Sequence, residues 1–114
     1  MFNVAGEPTP FGQFLDTCLA ETGRRDAVLQ WVLAARLLAA GVDPWMGVPL
    51  WVAAPGWEAA NDVDVSGALA AGLRLRPLAE TIRSTLAWDL ARGPEPGKEG
   101  LTREREEDLL RRLA

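Results

Sequence analysis

The chain has 114 residues, 48% hydrophobic and 25% charged, a balance that suits one folded domain and excludes a disordered segment. Net charge is −4 and the pI is near 4.8, with Lys98 the sole lysine and the arginines interleaved with acids. No basic face is left to neutralise phosphates, which excludes nucleic acid as a partner.

Histidine and tyrosine are missing and Cys18 is the single cysteine. These counts exclude a histidine-ligated metal, a Ser-His triad, an intrachain disulfide and a cysteine-rich zinc site. The apolar runs fall far short of the roughly 18 to 20 residues of a membrane span. No secretory signal precedes the first charges, so the reading predicts a cytoplasmic protein without a membrane partner.

In chain order, Phe2-Asn3-Val4-Ala5 predicts a short strand. Thr9-Pro10 is then a helix start, threonine as cap and proline at the first helical position. Phe11, Phe14, Leu15, Cys18 and Leu19 follow at i, i+3, i+4, i+7 and i+8, one apolar helix face that ends at Gly23. Residues 28–32 predict a strand and residues 33–40 a short helix closed by Gly41. Residues 42–57 hold Trp45, Trp51 and Trp57 among Pro44, Pro49 and Pro55, a proline spacing that excludes a regular helix and predicts a loop.

Asp62-Val63-Asp64-Val65 alternates like a strand, and Ser66 is placed to cap a helix through Ala71. Residues 73–76 read as extended before Pro77, which opens a helix to about Arg92 with Leu78, Ile82, Leu86 and Leu90 along one face. Residues 93–100 predict a Gly/Pro linker between a main lobe, 1–92, and a charged helix, 101–114. In that helix Thr102 is the cap, with Glu107–Arg111 and Asp108–Arg112 as i, i+4 pairs. Its apolar side is thin, which predicts a solvated appendage resting on a groove. The expected fold class is therefore α/β (α+β taken alone): short strands with about five helices.

The order of these motifs resembles a known family. Phe2-Asn3-Val4-Ala5-Gly6-Glu7 leading into Thr9-Pro10-Phe11 resembles the strand and helix that follow the nucleotide-binding half of extended short-chain dehydrogenases/reductases. Asp64-Val65-Ser66-Gly67-Ala68-Leu69, then Gly72-Leu73-Arg74, then Pro77 to Ile82 and Thr85-Leu86-Ala87-Trp88, resembles that family's closing signature. Val48-Pro49-Leu50-Trp51 is similar to a stretch in bacterial reductases of the NAD-dependent epimerase/dehydratase group. The resemblance covers residues 2–92.

It implies a C-terminal substrate-binding lobe of a Rossmann-type enzyme. In such enzymes the other half carries NAD or NADP on a glycine-rich turn and supplies a catalytic Tyr-x-x-x-Lys pair. This chain contains neither, so the expectation is a piece that binds no cofactor and catalyses nothing alone. Its partners are then a small-molecule substrate and the missing Rossmann half, or a second copy of itself. Gly93, Gly97, Lys98 and Gly100 do not make a phosphate loop, because the spacing is short and Glu99 follows the lysine.

Trp51, Trp45 and Trp57 are candidates to line a substrate cleft, against the alternative that they pack down on the lobe. Arg74 and Arg76 alternate to one face, where they either meet an anionic substrate or pair with Glu80 or Asp89. Asp64 reads as support for the turn into the Ser66 helix, and Cys18 as a small core residue. A free-standing interaction module that binds through the Trp/Pro loop is the competing reading.

Overall fold

Proline and glycine punctuate the helices almost where the sequence puts them. The computed structural model describes residues 1–57, 59, 62–93 and 100–113. Among these lie five helices: α1 (Phe11–Thr22), α2 (Ala34–Ala39), α3 (Ser66–Ala70), α4 (Leu78–Arg92) and α5 (Arg103–Leu113). The expected linker falls mostly on residues 94–99, which lie outside the described residues, as do Lys98, Glu99 and Glu58.

The α/β expectation is overturned. The described residues hold no strand, and their β-type pairing is limited to one isolated parallel bridge between Pro44 and Val48. Residues 2–5, 28–32, 62–65 and 73–76 are all irregular. The physical reason is that alternation supplies only one side of a ladder: a strand exists when a second backbone takes up its N–H and C=O groups. Neither of the two units described below provides one.

The chain divides into two units by internal contacts, Met1–Ala27 with Ala59–Glu95, and Val28–Glu58 with Pro96–Ala114. In the first, α1 packs on α4. The predicted face of α1 is the one turned inward, since Phe11, Phe14, Leu15, Cys18 and Leu19 are all half-buried. Phe11 and Phe14 stack with ring centroids 6.3 Å apart. On α4, Leu78, Ile82 and Leu86 are half-buried, while Leu90 near its end is exposed. Thr9 does not cap α1; its hydroxyl donates to the Glu7 carbonyl at 3.0 Å, and Pro10 is the residue before the first turn.

Entry to α3 also differs in detail. The Ser66 side chain makes no cap; instead the Asp64 carboxylate accepts the Ser66 N–H at 2.9 Å. This is the turn support the sequence assigned to Asp64, an acceptor two residues ahead of the amide it satisfies. The bond holds the Asp64 carboxyl below its ordinary value. Ala68 on α3 is buried, and the Phe2 ring lies 3.5 Å from where a Cβ on Gly67 would stand.

The second unit is built from α2, the loop after it and α5. Its buried apolar residues are Val42, which opens the loop, and Leu109 of α5, 4% exposed. Thr102 caps α5 as read from the sequence, its hydroxyl accepting the Arg105 N–H at 3.2 Å. Asp108 meets Arg112 at 3.3 Å as expected, but Glu107 pairs with Arg103 at 3.1 Å rather than with Arg111. The helix is mostly exposed, as expected of an appendage, but it is anchored at Leu109 and Arg105. Arg105 reaches from α5 to the Ala40 carbonyl at 2.5 Å and also bonds Asp108 at 3.0 Å, filling the orphan acceptor at the end of α2.

A strained apolar loop as candidate functional site

The loop from Asp43 to Trp51 is irregular in outline but closed by a chain of backbone bonds. Gly47 N–H donates to the Asp43 carbonyl at 2.8 Å, Met46 N–H to Pro44 at 2.7 Å, Trp51 N–H to Val48 at 3.1 Å and Trp45 N–H to Trp51 at 3.0 Å. The last of these brings together the backbones of two tryptophans singled out as substrate-facing.

Two of the bonds force unusual dihedrals. The bond from Met46 to Pro44 makes a γ-turn with Trp45 at its centre, and Trp45 has φ 66°. That is the rarer and more strained γ-turn. The bond from Trp51 to Val48 closes a β-turn with Pro49 second and Leu50 third, and Leu50 has φ 67°. Proline followed by positive φ is the type II pattern, in which glycine or asparagine normally takes the third place. Each left-handed residue of this kind costs about 1–3 kcal/mol and persists where surrounding contacts over-determine it. Gly47 is required for a different reason: a Cβ there would stand 2.8 Å from the Asp43 carbonyl oxygen.

The strain displays apolar side chains. Trp45 is 54% exposed, Met46 53% and Leu50 48%, whereas Trp51 is half-buried. Trp57 is exposed beyond a turn closed by its N–H to the Ala54 carbonyl at 3.1 Å. Asp43 is the one charged residue among those described between 42 and 57. Such a surface can bind and orient an apolar group and exclude water from it.

The sequence singles out Trp45, Trp51 and Trp57 in this loop and does not single out Met46 or Leu50. Pro49 carried a usable signal for Leu50, because proline second in a type II turn demands positive φ at the next residue. No comparable local signal marks Trp45.

Arg74 and Arg76 belong to the other unit, on the segment between α3 and α4. Leu73 and Leu75 are half-buried while both arginines are exposed, so the alternation is real though no ladder forms. Neither arginine has an ion pair among the described residues; Asp89, an expected partner, instead binds Arg92 at 2.7 Å. Arg92 also stacks over the Trp88 ring at 4.7 Å. Burial pushes the Cys18 thiol up from 9.0, which keeps it protonated and fits a packing residue.

Among the described residues, no group of three or more acids or Cys18 is placed to hold a metal ion, and no helix is long and apolar enough to cross a membrane. No protein-family model, curated protein or solved structure matches the chain.

Proposed function

We propose that this chain is the substrate-contacting lobe of an NAD(P)-dependent epimerase, dehydratase or reductase of the extended short-chain dehydrogenase type. The dinucleotide turn and the Tyr-x-x-x-Lys pair lie on a half that is not among these 114 residues. The observation that carries the reading is the strained loop that ties Trp45 to Trp51 and presents Trp45, Met46 and Leu50 as an apolar surface. Strain of this sort collects at ligand-contacting sites, where the backbone is held in the binding geometry beforehand. Motifs of the family in order over residues 2–92 support the same reading, as do the guanidinium groups of Arg74 and Arg76, which have no ion pair among the described residues and suit an anionic part of a substrate. The setting this implies is cytoplasmic.

Two measurements test it. Coding sequence directly upstream should contain a glycine-rich strand-turn-helix and a Tyr-x-x-x-Lys pair; unrelated sequence there overturns the reading. Calorimetric titration of the purified chain with NADH and NADPH should show no micromolar binding, with binding restored once the upstream half is added.

One observation favours a second reading, an interaction module that docks a protein through the same loop. Trp45, Met46, Leu50 and Trp57 are all about half exposed or more, and large apolar side chains left open in one loop mark interaction surfaces. Calorimetry with the upstream half separates the two, because a module gains no dinucleotide affinity from it.

A further inference from the structure

The strained loop does not stand alone, and what touches it comes from a distant part of the chain. Met46, between the two left-handed residues, accepts the Gly100 N–H at 2.7 Å. Gly100 has φ 94°, a conformation only glycine adopts freely, and a Cβ there would lie 4.0 Å from Pro49. Ahead of the loop, Arg105 bonds the Ala40 carbonyl, two residues before the buried Val42 that opens it. Leu109 of α5 is buried in the same unit, 4% exposed.

The C-terminal segment therefore holds the loop at its middle, through Met46, and just ahead of its start, through Ala40. Left-handed Trp45 and Leu50 need contacts that over-determine them, and the backbone bonds inside the loop do not reach outside it. We infer that residues 100–109 are a strap: docking of α5 sets the conformation of the Trp45–Leu50 surface, and its release lets that surface relax and lose its order. Two separate attachments, one amide bond to Met46 and one guanidinium bond to Ala40, make the coupling specific to the loop. Its consequence for substrate contact rests on the proposed function; the conformational coupling itself does not.

Hydrogen exchange on the full chain tests the strap without any ligand. Gly100→Ala has room for its methyl group but loses the left-handed backbone, and with it the bond to Met46. Exchange at the amides of Trp45, Gly47 and Trp51 should rise about tenfold, the effect of losing one such bond. The amides of Ala40, Val42 and Leu110 should keep their wild-type rates, and those of α1 report that the chain is folded. Arg105→Met should loosen the loop from its start, and Arg105→Lys, which keeps a donor for the Ala40 carbonyl, should restore most of the protection. Unchanged loop exchange in both Gly100→Ala and Arg105→Met overturns the strap. So does an equal rise across the whole unit, which would make α5 a shared core element and nothing more.

Discussion

Arg83 of α4 places its Nε 2.6 Å from the Glu21 carboxylate of α1 and so ties together the last turn of one helix and the middle of the other. Glu21 is largely covered while Arg83 is exposed, so the pair is partly screened. The contact joins α1 and α4, which pack together and on which Ile82 and Leu86 are half-buried.

A double-mutant cycle with Glu21→Gln and Arg83→Met should give a coupling of about 0.5 kcal/mol, the usual worth of a partly exposed pair. The coupling should shrink in 1 M salt, where screening is strong. A salt-independent coupling of several kcal/mol would mean the pair is buried in solution.

Leu109 should be the costly residue of α5. Leu109→Ala is expected to lower stability by about 2–3 kcal/mol through lost burial and the cavity left behind. Leu110→Ala, on the exposed side, should stay within about 0.5 kcal/mol. Urea unfolding followed by circular dichroism reads both; equal, small effects would make α5 an unanchored appendage.

Leu50→Gly should stabilise the chain. Leucine at φ 67° bears a left-handed cost of about 1–2 kcal/mol that glycine lacks, set against glycine's greater entropy when unfolded and the half-exposed side chain removed. A net gain of about 0.5 kcal/mol in thermal or urea unfolding is expected, and Leu50→Val, β-branched at positive φ, should lose stability. A loss in both variants would show that the leucine side chain contributes more than the strain takes away.

Asp64 should titrate below its ordinary 3.8, because the Ser66 amide hydrogen-bonds its charged form. The sign follows: a carboxyl lowered in the folded state adds stability that is complete above the unfolded value and disappears as pH falls through the folded one. Carboxyl carbon shifts recorded by NMR between about pH 6 and pH 2 should show Asp64 titrating below an unfolded reference peptide, with the Ser66 amide following the same curve. Asp64→Asn should remove that pH dependence from the α3 amides. Titration of Asp64 at or above 3.8 would mean the turn is open in solution.

Exposed tryptophans give the last test. Trp31, Trp45, Trp57 and Trp88 are each more than half exposed, so the emission should lie to the red and yield readily to acrylamide. A chain that keeps only Trp51 should emit further to the blue. Apolar surface of this extent should also bind hydrophobic dyes and promote self-association at high concentration. A clean monomer with well-shielded emission would show that the loop packs down instead.

Helices were legible because their signals are local. The i, i+3, i+4 spacing from Phe11 to Leu19, the proline before Leu78 and the Thr102 cap each act within a few residues, and each has the structural outcome its chemistry dictates. The alternation of Leu73, Arg74, Leu75 and Arg76 likewise survives as buried and exposed positions. By itself, then, the sequence determined where helices run, which face of α1 turns inward and which residue types crowd the tryptophan loop.

Tertiary structure decided the rest, because those outcomes depend on groups far apart in the chain. Residues 2–5 and 28–32 have strand-like composition, yet a strand is a relation between two backbones, and no ladder forms here. The Arg105 bond to Ala40 spans 65 positions, and the Gly100 bond to Met46 more than fifty, so no local pattern announces either one. Trp45 was visible as an aromatic residue in a proline-rich loop; its left-handed backbone was not, since that conformation opposes its own preference and is imposed by the bonds around it.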